Sequence, residues 1–405
     1  MGSKPDPIPF AQLALKVPSP DERRAIWTAT HQQWGAALDL ETYLRREAFL
    51  TTVPMSRNGG MTPWLLTTAD GEPDARPILS SCESIRKRCL VASPDGNVRE
   101  CTAHGIASVF TEPPHRGAGY ASEMMARLGP RLDAWQGRKI GSHCASAADE
   151  AANGMKDGDG SPGGGTGCED REVAVSVLFS DIGKTFYTKN GWPPFESTHL
   201  SFLPAPAPET PPSASPAVHP VSYHDLAELC SLDERLLKAR LARPASTTRV
   251  ALVPDLDAIL WHLMREDFMT KHIFGRTPVI RGGIVGEPGR RVWAVWTRGY
   301  YGGLKKPEGN TMHILRVVIE DPEACDKAYL TSAIGAVLSL ARSEAAEWKV
   351  NHVEMWNPTP EIRALVDAAE LPYEFVSREK DSIASLMWYG QGEVEWVDNE
   401  KFGWC

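Results

Sequence analysis

The sequence predicts a mixed α+β or α/β protein made of two units, and three observations lead to this prediction. Helix and strand patterns in residues 20–189 follow the order αα-βββ-α-β-α, in which the three strands form an antiparallel meander. A similar but degraded order of patterns returns in residues 225–389. The chain has 405 residues, whereas a single core stops growing at roughly 250–300 residues. We therefore expect two units joined by the proline-rich stretch 204–220.

The first unit begins with helical patterns in which apolar side chains such as Trp27 and Trp34 recur on one face. Its strand patterns are bounded by turn clusters rich in Gly, Pro, Asn and Asp. Gly129-Pro130 is expected to kink or end the helix that follows the meander. The predicted helices cover residues 20–40, 41–50, 118–129 and 181–189, and the predicted strands cover residues 63–68, 76–91, 106–111 and 173–179.

The second unit shows the same two kinds of periodicity. Its predicted helices cover residues 225–241, 255–268, 327–348 and 360–369, and its predicted strands cover residues 279–285, 292–298, 311–319, 350–356 and 383–389. A stretch rich in Gly, Ala, Ser and Asp at residues 141–170 interrupts the first unit. We interpret it as a disordered surface insertion, with a functional lid as the alternative.

Composition excludes several classes of protein. Hydrophobic residues make up 42% of the chain and charged residues 23%, and no run of about 18 apolar residues is available to span a bilayer. The eight cysteines never form C-x-x-C, which argues against a zinc site and a disulfide framework. The net charge of -9 disfavours nucleic acid. We expect a cytoplasmic protein without a signal peptide, metal, membrane or nucleic acid partner; its oligomeric state is not indicated.

A glycine-rich arc follows the predicted strand at residues 106–111. Gly117 and Gly119 let the backbone approach a ligand without a Cβ in the way. The N–H groups of the helix start, residues 118–121, point at the same place and favour negative charge. The arc therefore predicts a site for an anion such as a pyrophosphate.

The glycines have three other interpretations. A chance match to R-G-x-G is common, but a strand before it and an apolar helix after it favour a real site. A Rossmann fingerprint needs a third glycine where Ser122 stands. A P-loop ending in Gly183-Lys184-Thr185 would need glycine at Leu178.

The run Arg116-Gly117-Ala118-Gly119-Tyr120-Ala121, with Pro113 three residues before the arginine, resembles the R-x-x-G-x-G/A signature of the GNAT superfamily of N-acetyltransferases. The resemblance implies the GNAT fold, a degenerate second GNAT-like unit and acetyl-CoA as co-substrate. In the second half Asp321-Pro322-Glu323-Ala324, with two acidic residues, stands where the arc would be. We therefore expect that half to bind no CoA and to shape the substrate cleft. The cofactor contacts that the resemblance implies are Val109, Phe110, Thr111, Arg116, Gly117, Ala118, Gly119, Tyr120 and Ala121. Ser180 and Lys184, at the start of the last helix of the first unit, are further candidate cofactor contacts. The alternatives are a helix N-cap for Ser180 and a solvated side chain for Lys184.

The segment Phe186-Tyr187-Thr188-Lys189-Asn190-Gly191-Trp192 is similar to the family's F-Y-x-x-x-G-F. In the family this tyrosine sits beside the CoA sulfur, so the similarity implies Tyr187 as the general acid for the departing thiolate. The alternative is a buried tyrosine that is hydrogen-bonded within the helix packing.

The general base is left open by the sequence. A lysine ε-amine titrates near 10.4, so a proton must be removed before it can attack. Candidates are Glu83, which could instead pair with Arg86 or Lys87, His104, and a chain of water molecules. Possible anchors for a cationic substrate are Glu83, Asp267, Glu354 and the C-terminal carboxylate of Cys405.

Segments at residues 34–47, 178–187 and 399–405 look like the fungal lysine N6-acetyltransferases of lysine catabolism, and the likeness spans nearly the whole chain. It departs in the insertion and at Pro130. It implies a catalytic unit in residues 1–203, a substrate-shaping unit in residues 221–405, and direct acetyl transfer to the N6-amine of lysine. Alternatives are another small primary amine, from secondary metabolism or a xenobiotic, and a non-catalytic acyl-CoA sensor.

Overall fold

A computed structural model describes residues 6–139, 171–206 and 216–404 of the chain. The predicted insertion at 141–170, residues 207–215 of the predicted linker, and Cys405 lie outside those ranges. Within them no helix combines the length and the hydropathy that crossing a membrane requires.

Two sheets and eight α-helices make up the described part of the chain. The strands are β1 (Leu13–Lys16), β2 (Met61–Thr68), β3 (Ser80–Ala92), β4 (Val98–Phe110), β5 (Arg138–Lys139), β6 (Glu172–Ser180), β7 (Thr198–Phe202), β8 (His219–Val221), β9 (Thr248–Leu252), β10 (Gly282–Val285), β11 (Val292–Tyr300), β12 (Asn310–Ile319), β13 (His352–Trp356), β14 (Glu374–Ser377), β15 (Ile383–Trp388) and β16 (Val394–Trp396). The helices are α1 (Pro20–Trp34), α2 (Leu40–Leu50), α3 (Tyr120–Leu132), α4 (Thr185–Lys189), α5 (Tyr223–Leu241), α6 (Leu256–Phe274), α7 (Lys327–Glu347) and α8 (Pro360–Ala368).

The first sheet has nine strands in the order β1-β2-β3-β4-β6-β15, with β9 added to β3, β16 to β9 and β5 to β6. Strands β2 to β4 form the predicted antiparallel meander, and β1, which was not predicted, adds to β2 in the antiparallel sense. Strand β4 pairs with β6 in parallel. The second sheet has seven strands in the order β14-β7-β13-β12-β11-β10-β8, and its one central parallel pair is β12 with β13. Each sheet thus repeats a meander followed by a parallel crossover.

The two sheets exchange strands, which the sequence did not indicate. Strand β7 lies before the predicted linker but pairs with β13 and β14 in the second sheet. Strands β9, β15 and β16 lie after the linker but belong to the first sheet. The sheets therefore do not coincide with the contiguous segments 1–203 and 221–405.

A hydrophobic core joins the two sheets. It combines buried side chains of the first sheet, such as Val175, with Trp293 and Leu315 of the second. Helix α3 packs Met124 and Leu128 against the first sheet, and α7 covers the second. Burying each such side chain away from water stabilises the fold by about 1.5–3 kcal/mol. Because the two sheets bury side chains against each other, the stability of each sheet depends on the other.

Four helix ends differ from the prediction by more than two residues, and one of them is the end of α6, which continues to Phe274 and stops at Gly275 with a φ of +70°. Helix α1 stops at Trp34, since Gly35 follows and Asp39 already caps α2 by accepting the N–H of Thr42. Helix α4 starts at Thr185, because residues 180–183 form a turn in which Gly183 has a φ of +77°. Helix α3 continues past Pro130 to Leu132, where the missing N–H costs only one bond in the last turn.

Candidate active site

A single cleft of about 1160 Å³ brings together side chains from both sheets. Helix α2 contributes Glu47, the first sheet contributes Glu83, and the second sheet contributes Glu354. Tyr187 of α4 lies on the wall between them. The cleft therefore collects titratable groups that are far apart in the sequence.

Two parallel strands separate at the floor of the cleft. Strands β4 and β6 pair as far as Ile106 with Leu178, and no pairing follows although β4 continues to Phe110. A bulge accompanies this opening, since Ser81 pairs with Phe110 while Glu83 pairs with Ala107, which leaves one extra residue on β4. The backbone of β4 beyond Ile106 thus presents an unpaired edge to the cleft.

The glycine arc adopts the backbone that its residues predict. Gly117 and Gly119 have φ values of +87° and +83°, and Gly119 is the N-cap of α3. Within the described residues, none of the N–H groups of residues 117–122 donates a hydrogen bond. Six donors at the start of a 13-residue helix form an anion site of the expected kind.

The side chains around the arc have separate tasks. Arg116 donates from Nε to the carbonyl of Thr111 at 2.8 Å and lies over the Phe110 ring, and all three residues line the cleft. The buried Tyr120 accepts the N–H of Ile8 at its hydroxyl, 2.8 Å away, so its side chain is structural. Val109 and Ala121 also line the cleft, whereas Gly117, Ala118, Gly119 and Tyr120 are not among the residues that line it.

Glu83 lies where β3 faces the bulge. Ser108, at a φ of +56°, donates to its carboxylate at 3.2 Å. Burial, and next the charge of Glu47, raise the pKa of Glu83 to about 7, while hydrogen bonds from Ser108 and Trp27 oppose that shift. Among the described residues, Arg86 forms no ion pair with this carboxylate. Glu83 is suited to accept a proton near neutral pH.

Tyr187 is nearly buried and packs edge-to-face on Phe186 with ring centroids 5.0 Å apart. Burial, together with the neighbouring Cys82 and Asp181, raises the pKa of its hydroxyl, which keeps it protonated. That hydroxyl makes no hydrogen bond to any described residue. It is therefore a free donor on the cleft wall and not a tyrosine hydrogen-bonded within the helix packing.

His104 does not reach the cleft. It lies in the part of β4 that still pairs with β6, opposite Ser176, and is fully buried. Its Nε2 is 2.8 Å from the carbonyl oxygen of Trp135, and burial lowers the pKa of the imidazole to about 4. The structure gives His104 a structural position.

Two predicted cofactor contacts are occupied by protein groups. Ser180 is buried and donates to the carbonyl of Gly183 at 2.7 Å, which closes the turn before α4. Lys184 forms an exposed ion pair with Glu379 at 2.7 Å. Neither side chain lines the cleft.

The predicted substrate anchors separate into different places. Asp267 accepts a hydrogen bond from Tyr223 at 2.7 Å and pairs with Arg281, away from the cleft. Cys405 lies outside the described residues. Glu354 does line the cleft, and its partners are described next.

Glu354 is held by three aromatic neighbours. The indole N–H of Trp356 donates to its carboxylate at 3.0 Å, and His313 and His199 lie 3.4 Å and 3.9 Å away. Burial by itself raises the pKa of Glu354, but hydrogen bonding and charge from His313, then His199 and Trp356, outweigh it and hold the pKa well below its usual range. Glu354 is therefore an ionised carboxylate in the cleft.

Sequence reasoning missed two cations beside Glu354. Lys401 and Arg378 both line the cleft, each 4.0 Å from the ring centroid of Trp356. Lys401 begins a single turn of 3-10 helix, and Arg378 directly follows β14. Tertiary packing alone brings the two side chains together, so no local sequence pattern indicates them. The likeness at residues 399–405 marked the segment of Lys401 but gave that residue no role.

Comparison with known proteins identifies relatives of the whole chain and of its second half. The family model described as the LYC1 GNAT-like C-terminal domain matches residues 199–405, just over half of the 405 residues. A protein named lysine acetyltransferase from Yarrowia lipolytica (strain CLIB 122 / E 150) is 24% identical over 432 residues, which cover 96% of this chain and 99% of that protein.

Two solved structures match the chain at low sequence identity. A probable N-acyltransferase from Enterococcus faecalis V583 superposes with a TM-score of 0.49 at 12% identity, covering 92% of this chain and 71% of that chain. A GCN5-related N-acetyltransferase from Kribbella flavida gives a TM-score of 0.46 at 14% identity, covering 93% and 72%.

Proposed function

We propose that this chain, which belongs to the LYC1 GNAT-like family, is an acetyl-CoA-dependent N-acetyltransferase of a small primary amine, and that this amine is the N6-amine of L-lysine. The family match confirms the GNAT resemblance and fold class that the sequence predicts. The observation that carries the proposal is the opening between β4 and β6, beside a free glycine arc and with Glu83 on the same cleft wall.

The residues at the opening fit acetyl-CoA. The unpaired edge of β4 at residues 107–110 can add the pantetheine arm as a further strand. The free N–H groups of residues 117–122 can hold the pyrophosphate, and no Cβ stands at Gly117 or Gly119 to block it. When bound there, acetyl-CoA supplies an acetyl group activated as a thioester.

Glu83 is the proposed base. Its pKa of about 7 makes it basic enough to accept a proton from an ammonium group, while about half of it is ionised at pH 7. A proton can reach it directly or through one water molecule. The ammonium loses two protons overall: one passes to Glu83 and then to solvent, and the other replaces the proton that the acid gives to sulfur.

Tyr187 is the proposed acid. Its buried, protonated hydroxyl has no other partner among the described residues, so it is available to protonate the thiolate when the C–S bond breaks and the new C–N bond forms. In this scheme the amine and the thioester meet in one ternary complex, and no acetyl group is attached to the protein.

The two parts of the chain have different tasks in this proposal. Residues before the linker hold acetyl-CoA, and residues after it supply the wall that receives the amine, including Glu354. The choice of lysine is supported by the name of the Yarrowia lipolytica relative and by the sequence likeness at residues 34–47, 178–187 and 399–405.

The test is a screen for CoA thiol release with acetyl-CoA and free lysine, ornithine, polyamines and aryl amines. We expect saturable release with lysine and N6-acetyllysine as the product. Release with another amine and none with lysine would overturn the choice of substrate. Binding of acetyl-CoA without release across the panel would indicate a sensor and overturn the enzyme.

A further inference from the structure

We propose that Arg378 and Lys401 form a binding site for the α-carboxylate of the substrate, so that the enzyme acts on free amino acids in preference to simple diamines. This inference rests on the proposed function, because it assumes that an amine of the same molecule reaches Glu83. It assigns to the second half of the chain a specific chemical task.

Lys401 is the first part of the site. The residue is 3% exposed, and its Nζ lies 4.0 Å from the ring centroid of Trp356 and 4.1 Å from that of Trp404. No carboxylate oxygen of the described residues lies within 4.0 Å of this Nζ. A buried ammonium is costly without an anionic partner, and the open side of this one is the cleft.

Arg378 is the second part. The residue is 8% exposed, and its Nη1 donates to the carbonyl of Thr198 at 2.7 Å. Its Nε and Nη2 are buried and have no hydrogen-bond partner among the described residues. These two nitrogens form one edge of the guanidinium, and two parallel N–H donors match the two oxygens of a carboxylate.

Both cations contact the same indole. The guanidinium carbon of Arg378 and the Nζ of Lys401 are each 4.0 Å from the centroid of Trp356. Trp356 in turn is fixed by its N–H bond to Glu354. The three charged groups therefore have defined positions around one ring, which is the preorganisation that a specific site requires.

The local charge balance favours an added anion. Burial lowers the pKa of His199, and lowers that of His313 to about 4, so both imidazoles are neutral near pH 7. Burial lowers the pKa of Lys401 to about 7, and the carboxylates of Glu354 and Asp181 oppose that shift. A substrate carboxylate bound beside Lys401 favours its protonated form further and places a negative charge beside Arg378.

Glu354 completes the recognition of an amino acid. It is ionised and lines the same cleft, so it can hold the α-ammonium next to the α-carboxylate. Glu83 lies on β3 of the first sheet and Glu354 on β13 of the second. A diamino acid can thus present its zwitterionic end to the second sheet and its terminal amine to the first.

The experiment compares L-lysine with cadaverine, which has the same terminal amine and no carboxylate, on the full-length protein. We expect kcat/KM for lysine to exceed that for cadaverine by at least about 100-fold, because a site built for a polar group rejects a substrate that lacks it. Equal values would overturn the carboxylate site and leave the acetyltransferase proposal standing. Absence of turnover with every amine would overturn the proposed function instead.

Variants locate the site. Lys401→Met and Arg378→Met should each lower kcat/KM for lysine at least about tenfold, because each variant loses one charge-assisted hydrogen bond to the carboxylate and KM rises. Turnover of cadaverine, which has no carboxylate, should stay within a factor of about two of the wild-type value. Lys327→Met, at the exposed start of α7, is the matched control and should change neither. An equal loss for both substrates would overturn the site.

Two further readouts keep the test decisive. The KM for acetyl-CoA should not change in either variant, and an increase there would show that the cations bind CoA phosphates, which overturns the proposal. If a variant is too unstable to assay, thermal melting of the wild-type protein should show a larger upward shift with lysine than with cadaverine. An equal shift would contradict the site without any variant.

Discussion

At the scale of single residues, Glu83 shows how position changes chemistry. A glutamate on a strand has an ordinary pKa near 4.3 in water, but the cleft wall and Glu47 raise the pKa of this one to about 7. The strongest charge facing it besides Glu47 is Arg23, which opposes the shift. The ionised form, which can accept a proton, exists above that pKa.

This gives a prediction for the pH dependence. The kcat of the wild-type enzyme should rise with pH through about 7 and then level off, because protonated Glu83 at lower pH cannot accept a proton. Glu83→Gln should lower kcat by about 10²–10⁴ and abolish this rise. Steady-state kinetics between pH 5.5 and about 9 measures both.

The control is Glu395→Gln, at an exposed site on β16, which should leave both kcat and its pH dependence unchanged. An unchanged pH profile in the Glu83→Gln variant would exclude Glu83 as the base.

Two tyrosines allow a matched test of the proposed acid. The Tyr187 hydroxyl has no partner among the described residues, whereas Tyr389 bonds Ser176 at 2.7 Å and the carbonyl of Gly129 at 3.1 Å. Tyr187→Phe should reduce kcat with little change in melting temperature. Tyr389→Phe should keep kcat and lose about 1 kcal/mol of unfolding free energy. Equal turnover in the wild type and Tyr187→Phe would rule out Tyr187 as the acid.

The sequence could predict some of these residues and not others, for a physical reason. Glu83 lies on a strand, and Tyr187 lies in a motif, that neighbouring residues in the sequence are sufficient to predict. His104 sits on the same strand as the cofactor contacts, but its partner Trp135 is 31 positions away, so its burial could not be foreseen. Arg378 and Lys401 meet only at Trp356 and have no local pattern.

At the scale of elements, the arc before α3 combines a loop and a helix start. Its positive φ values at Gly117 and Gly119 are forced by the reversal of the chain between β4 and α3. A side chain at either place would be strained by about 1–2 kcal/mol. At Gly119 a Cβ would also lie 3.1 Å from the ring of Phe10.

Gly119→Ala should therefore misalign the N–H donors of the arc and raise the KM for acetyl-CoA about tenfold. This increase corresponds to a loss of about 1.4 kcal/mol of binding free energy. The control is Gly275→Ala, since Gly275 ends α6 at a φ of +70° with no atom within 4 Å of an added Cβ. Both variants should lose similar stability in thermal melts, and only the first should change KM. A change of KM in both would mean that the effect is general destabilisation.

Strand pairing marks the limit of sequence reasoning at this scale. The patterns predicted nine of the sixteen described strands, because alternation and turn residues are local signals. One of the nine, β4, begins at Val98, eight residues before its predicted start. The patterns missed seven short strands: β1, β5, β7, β8, β9, β14 and β16. They assigned no partner to β15, which lies beside β6 although about 200 residues separate them in the chain. Pairing over such distances depends on the rest of the fold.

At the scale of the whole molecule, the exchanged strands make the two halves depend on each other. Strand β15 covers the edge of β6, and β9 covers the edge of β3. Without them the first sheet would expose two rows of unpaired N–H and C=O groups, which promote aggregation. The shared core around Val175 and Trp293 adds apolar surface that neither half can bury alone.

We therefore expect the full-length chain to unfold in one cooperative transition, with the same midpoint by circular dichroism and by tryptophan fluorescence. A fragment of residues 1–203 carries the whole glycine arc and Tyr187, yet should show no cooperative transition and no acetyl-CoA binding, because β15 and β9 are absent from it. Adding residues 204–405 in trans should restore both, as the missing strands return to their places. A fragment that melts cooperatively and binds acetyl-CoA by itself would show instead that the first sheet folds without β9 and β15, and that these strands only cover its edges.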